Sequence, residues 1–204
     1  SSAAILGVAF IQNIYGTSGM APLMILGSVP LFNIFAVIIL TVESPQQHGK
    51  VTPSKLLYGV LTNPILDGII LGTLYSLLPF GLPTLAQKTL TSLSSLTTPL
   101  ALLSIGASFE GAKAIKKLAP TLVAACCKLM VLTTIFIPIA VKLGFRDQQL
   151  IALLIMLGSP TTPSSYVMAK NMGHEGVLTS SCIATTTLLS ALTLTGWIFL
   201  LRSG

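Results

Sequence analysis

Gly158-Ser159-Pro160-Thr161-Thr162-Pro163-Ser164-Ser165 interrupts a stretch that otherwise reads as one membrane span. The apolar run LIALLIML from Leu150 to Leu157 leads in, and Tyr166-Val167-Met168-Ala169 leads out. Two prolines three apart break a helix, because each lacks an N–H and collides with the preceding turn. At membrane depth a broken helix leaves backbone groups unpaired, and hydrocarbon penalises each by several kcal/mol. Such a break persists only where protein or a wet cavity covers it.

Composition places the rest of the chain in the same solvent. Of 204 residues, 52% are hydrophobic and 8% charged, against roughly 25% charged in soluble domains. This is the composition of an all-α integral membrane protein. The net charge of +6 comes from Lys and Arg scattered over several loops. It forms no stripe of the kind that binds nucleic acid, so no nucleic-acid partner is expected. Cys126, Cys127 and Cys182 lie in apolar segments and read as small packing residues. His48 and His174 fall in loops without companions for a metal or a nucleophile–base pair, and no GxxxxGK[ST] motif is present. No cofactor and no enzymatic activity are expected.

With about 20 apolar residues needed per crossing, the pattern predicts six complete spans and a partial one. The partial span is Ser2 to Tyr15. The complete ones are Met20 to Val42, Lys55 to Leu78, Thr84 to Phe109, Leu118 to Leu143, Leu150 to Met172 and Val177 to Leu201. One side of the membrane then holds Lys50, Lys55, Lys113, Lys116, Lys117 and Lys170; the other holds Lys88, Lys142, Arg146 and Arg202. The richer side is assigned to the cytoplasm. Gly16-Thr17-Ser18-Gly19 and Gly173-His174-Glu175-Gly176 each open a span, 157 residues apart and on opposite sides. Two similar units of opposite orientation make an inverted-topology repeat, a device of secondary transporters, whose substrates bind at broken helices near the midplane.

The break has the chemistry for an anion. A helix starting at Pro163 begins well, since proline suits the first helical position. Its N-terminus carries partial positive charge and N–H donors. Ser159, Thr161, Thr162, Ser164 and Ser165 add hydroxyls, and the set suits a carboxylate. Two ionisable residues lie deep. Asp67 is twelve residues past Lys55 and Lys128 ten past Leu118, roughly 18 and 15 Å into a core about 30 Å thick. Both are functional candidates by their depth: Lys128 to offset an anionic substrate, Asp67 to carry a coupling proton. A structural ion pair, or Lys128 snorkelling to the interface, is the competing reading. Asn63-Pro64 is a further helix-breaking pair with a side-chain amide.

The motifs together resemble the auxin efflux carrier family, which includes bacterial malate-permease-like proteins and plant PIN carriers. Tyr15 to Gly19 followed by Pro30 to Val37 resembles the family's fourth-to-fifth span junction, and Thr62-Asn63-Pro64 with Gly68 and Gly72 its sixth span. Thr98-Pro99-Leu100-Ala101 with Ser104 to Ala107 resembles its seventh, Ser159 to Ser165 with Ala169, Asn171 and Gly173 its ninth, and Thr186 to Leu194 its tenth. The resemblance covers the whole chain. It implies ten spans in two inverted five-span repeats, with spans four and nine broken and crossed at the centre. This chain would then lack spans one to three and the start of four. Residues 1–42 would end the first repeat, 43–54 would be a cytoplasmic loop, and 55–204 would form the second repeat. The first crossover departs from the family pattern: Ala9 stands for proline in Gly7-Val8-Ala9, and Ser2 falls where asparagine is expected.

The resulting expectation is a permease or efflux carrier for organic anions such as mono- or dicarboxylates, working by alternating access. Its substrate residues would be Ser159, Pro160, Thr161, Thr162, Pro163, Ser164, Ser165, Asn63 and Lys128, with Asp67 for the coupling ion. Proton or sodium coupling and a homodimer stay open. The expected location is the bilayer of a cell membrane, that of a bacterial inner membrane in the first place. A sodium-coupled symporter of the bile-acid type and a non-transporting scaffold or sensor are the alternatives.

Overall fold

The computed structural model describes residues 11–17, 19–43, 53–79, 81–107 and 109–203. All regular structure among them is helical. The 43–54 loop falls largely outside these residues, and the departing crossover segment Ser2 to Ala9 falls wholly outside them. In chain order the helices are α1 (Ala21–Val42), α2 (Pro53–Leu61), α3 (Pro64–Ser76), α4 (Thr84–Ala107), α5 (Gly111–Lys116), α6 (Leu118–Cys126), α7 (Leu132–Lys142), α8 (Asp147–Gly158), α9 (Pro163–Asn171) and α10 (Val177–Ser203). A π turn, Cys127–Val131, joins α6 to α7, so that Leu118–Lys142 crosses as one helix.

Among the described residues four helices are long and apolar enough to span: α1, α4, the α6–α7 helix and α10. The α8–α9 pair makes a fifth when counted as one broken span. The expected span Lys55 to Leu78 differs: it is two shorter helices, α2 and α3. The cause is local. Pro64 has no N–H to continue α2, and it starts α3 as the first helical residue. Asn63 is the N-cap, its Oδ1 accepting from the Leu66 N–H at 3.4 Å, while the Asp67 N–H donates to Asn63 O at 2.9 Å.

The Ser- and Thr-rich α4 runs unbroken through Pro99. Its hydroxyls turn inward on the helix: Thr89, Thr91, Ser94, Ser95 and Thr97 each donate to a carbonyl three or four residues back. A polar sequence thereby presents few unpaired groups to hydrocarbon.

The chain divides into two compact units, Ser1–Gly27 with Phe109–Thr162 and Gly176–Gly204, and Ser28–Ser108 with Pro163–Glu175. In the first, α10 packs on α6, the π turn and α8, and α7 packs on α8. Its core is built on α8, where Leu150, Ile151, Ala152, Leu154 and Ile155 are buried, with Ile137, Ala140 and Leu194 around them. Gly158 ends α8 against Thr133 of α7 and Leu194 of α10. A Cβ there would lie 3.1 Å from Leu194 Cδ2 and 3.2 Å from Thr133 Cγ2. Small residues at such contacts are what membrane helices use to associate, since apolarity alone does not drive packing in lipid.

In the second unit α9 packs on α4 and α2 on α3. Val37, Leu66 and Met168 form its core. The His174 Nε2–H donates to Leu40 O at 3.0 Å, near the C-terminus of α1. The α9 helix ends on Gly173 at φ +82°, with the Gly173 N–H donating to Lys170 O and the His174 N–H to Ala169 O. This is the paired C-terminal cap that needs a left-handed residue, and glycine takes it without a Cβ clash.

Candidate functional site

The break after α8 follows from Pro160 atom by atom. A residue before proline is pushed out of the helical region, and Ser159 is extended at φ −71°, ψ 152°. The Ser159 N–H makes the last bond of the helix, to Ile155 O at 3.0 Å. Pro160 has no N–H to return to Met156 O. The next N–H, that of Thr161, leaves the helix altogether and donates to Thr186 Oγ1 on α10 at 3.1 Å. Leu157 O is therefore released by its intrahelical donor, and the Lys128 Nζ donates to it at 2.9 Å.

Each substitute partner is itself well held. Thr186 is buried, and its hydroxyl donates back to Cys182 O at 2.6 Å while accepting from Thr161. Lys128 is half-buried and rides on the π turn. π turns inside α-helices occur often at functional sites. Its ammonium stands at the C-terminal end of α8, the negative end of that helix dipole. It makes this one hydrogen bond among the described residues, out of three donors. Ser159 is fully buried, and its Oγ has no partner among the described residues; the same holds for Ser181 Oγ on α10.

The first unit thus brings together Lys128, Leu157, Ser159, Pro160, Thr161, Thr162 and Thr186. Pro160 is buried, and Thr161 and Thr162 are half-buried. Pro163, Ser164 and Ser165 form the first turn of α9 in the second unit, with Ser164 exposed and the other two half-buried. Asn63 and Asp67 also belong to the second unit, together at the start of α3. Asn63 serves there as a cap, and an acidic Asp67 suits the positive end of that helix. Two participants are not among the site residues expected from the sequence. Thr186 lies in the run Thr185-Thr186-Thr187, and its signal was a hydroxyl cluster inside an apolar span. The Leu157 carbonyl has no side-chain signature at all.

The family model described as membrane transport protein matches residues 1–198. The chain belongs to the membrane transport protein family. The resemblance read from the motifs is borne out at the level of the family, and the family is one of transporters rather than enzymes. Neither a curated protein nor a solved structure matches the chain. Membership and several spanning helices together make it a multi-pass membrane transport protein.

Proposed function

We propose that this membrane transport protein is a secondary transporter of organic anions, mono- or dicarboxylates, that works by alternating access. The observation that carries the proposal is the broken helix. At 159–162 the chain keeps an irregular backbone at span depth, and a cation, Lys128, is held on the carbonyl that the break releases. Irregular backbone at that depth belongs at a cavity. The two remaining donors of Lys128 and the hydroxyls of Ser159 and Thr161 are what a carboxylate requires. A buried hydroxyl without a partner costs about 1–3 kcal/mol, and a substrate carboxylate reaching Ser159 Oγ would remove that cost. Pro163, Ser164, Ser165 and Asn63 remain substrate residues of the proposal, and Asp67 the coupling-ion residue.

Two further features support the reading. Both GxxG turns hold both glycines left-handed, Gly16 at φ +73°, Gly19 at +49°, Gly173 at +82° and Gly176 at +76°. Like backbone at like positions favours an inverted repeat of the auxin efflux carrier type. An ammonium fixed at the broken helix end also supplies the positive charge that a sodium ion would otherwise bring, which favours sodium-independent transport. The proposed place is a cell membrane, that of a bacterial inner membrane in the first place.

The test is uptake of radiolabelled mono- and dicarboxylates into proteoliposomes, with and without a sodium gradient, for the native protein and Lys128→Ala. The expected result is sodium-independent uptake that falls at least tenfold in the variant, the cost of roughly one charge-assisted hydrogen bond. Unchanged kinetics would remove Lys128 from the mechanism, and no uptake of any carboxylate would remove the substrate class.

A further inference from the structure

The turn between α7 and α8 shapes a second feature, separate from the break. The Phe145 N–H donates to Ala140 O at 3.1 Å and the Gly144 N–H to Val141 O at 3.2 Å, with Gly144 at φ +91°. This paired cap folds the chain back over the last turn of α7. It brings Phe145 beside Phe136, Ile139, Ala140 and Leu143, which recur at i, i+3, i+4 and i+7 and so share one face. Leu153 and Leu157, one turn apart on α8, make the other wall. The result is an apolar groove of about 210 Å³. It runs roughly 10 Å along α7 at 1.5 Å per residue. Its rim is open, Leu143 being 72% exposed.

Lys142 and Arg146 stand at the loop end of this groove. The Arg146 Nη1 donates to Val141 O at 2.7 Å and to Phe145 O at 2.9 Å. The guanidinium is thereby tied to the end of α7, and its Nε and Nη2 make no hydrogen bond among the described residues. Asp147, the one acidic residue of the turn, makes no ion pair among the described residues. Two cations and one anion leave the segment 142–147 with a net charge of +1.

We propose that this groove binds an anionic phospholipid, one acyl chain lying along the α7–α8 face and the phosphate on Arg146 and Lys142. The apolar walls alone would accept any lipid chain. The guanidinium holds the phosphate in a fixed, bidentate geometry, and the two cations favour a headgroup whose phosphate charge is not offset by its own ammonium. Placement also fits: the cations sit at the end of a span, at the level of the headgroups of the leaflet away from the cytoplasm, and the apolar face continues from them toward the hydrocarbon. A soluble anion has no use for the groove, and a zwitterionic lipid gains little from the charge. The wall residue Leu157 also gives its carbonyl to Lys128, so the lipid would touch the last turn before the break.

The test is native mass spectrometry of the protein released from nanodiscs of equimolar phosphatidylglycerol and phosphatidylcholine. The expected result is preferential retention of phosphatidylglycerol. Lys142→Gln and Arg146→Gln each lower that preference about fivefold, since one cation near an anionic surface contributes a factor of that size. The Lys142 Nζ makes no hydrogen bond among the described residues, so its variant reads the charge without disturbing the turn. Ile139→Trp, which fills the groove, lowers retention of both lipids. Equal retention of the two lipids by the native protein, or a preference unmoved by Lys142→Gln, would overturn the proposal. So would full displacement by excess glycerol phosphate, which has the headgroup anion and no chain.

Discussion

Thr186 carries two duties on one oxygen. Its hydroxyl hydrogen goes to Cys182 O, and its lone pair receives the Thr161 N–H. Both duties need a hydroxyl: valine keeps the shape and loses the acceptor, alanine loses the shape as well. Thr186→Val leaves a backbone N–H without its partner inside a packed interior, at a cost of about 1–3 kcal/mol. Thermal unfolding in detergent reads this as a lowered midpoint, with faster hydrogen exchange at the Thr161 amide. Thr186→Ser restores the acceptor and recovers most of both. Equal stability of native protein and Thr186→Val would mean that Thr161 finds another acceptor. Lys128 differs in kind, because it meets its carbonyl with an ammonium, so its loss removes a charge as well as a bond.

The α8 helix owes its position to the absence of a side chain at its last residue. With Leu194 and Thr133 at 3.1 and 3.2 Å from the place of a Cβ, Gly158→Ala asks both neighbours to yield by a few tenths of an ångström. Gly158→Leu asks for more than rotamers give and should cost about 1–3 kcal/mol or more. The expected order of thermal stability is native, then Ala, then Leu, and a Leu variant as stable as the native protein would show that α8 and α10 separate freely. How much of this was legible depended on how local the cause was. Pro160 and Pro163 announce the break because proline acts on its own backbone, and Asn63-Pro64 carries the same signal. That second break still disappears into one expected span, since an average over about 20 residues smooths over a pair. The helix ends near Gly173 and the chain of apolar spans were visible for similar reasons. Thr186 as a partner, the released Leu157 carbonyl and the π turn were not, because each depends on a neighbour 25 or more residues away or on a register that composition does not record.

At the scale of the molecule, the Leu118–Lys142 helix fixes sidedness for the first unit. Its 25 residues reach roughly 37 Å at 1.5 Å each, enough to cross a core of about 30 Å. Its ends are then expected to face opposite compartments, and the distribution of basic residues predicts Lys116 on the cytoplasmic side. Single cysteines at Lys116→Cys and Leu143→Cys, in a background with Cys126, Cys127 and Cys182 replaced by alanine, should react with a membrane-impermeant maleimide from opposite sides. Labelling of both from one side would mean that this helix does not cross, and would also reverse or void the placement of Lys142 and Arg146.

The π turn has a consequence for the whole length of that helix. Its inward positions Thr121, Ala125, Leu129, Thr133 and Ile137 are each four residues apart. On an unbroken α-helix a stride of four overshoots a full turn by about 40°, so five such positions would fan out through about 160°. One extra residue wound into Cys127–Val131 absorbs about 100° of this and leaves roughly 60°, narrow enough for a single seam. The same surplus residue lies where Lys128 departs toward Leu157. A chain shortened by one residue there would face the wrong way above or below the break, so the ammonium and the seam are set by a single count.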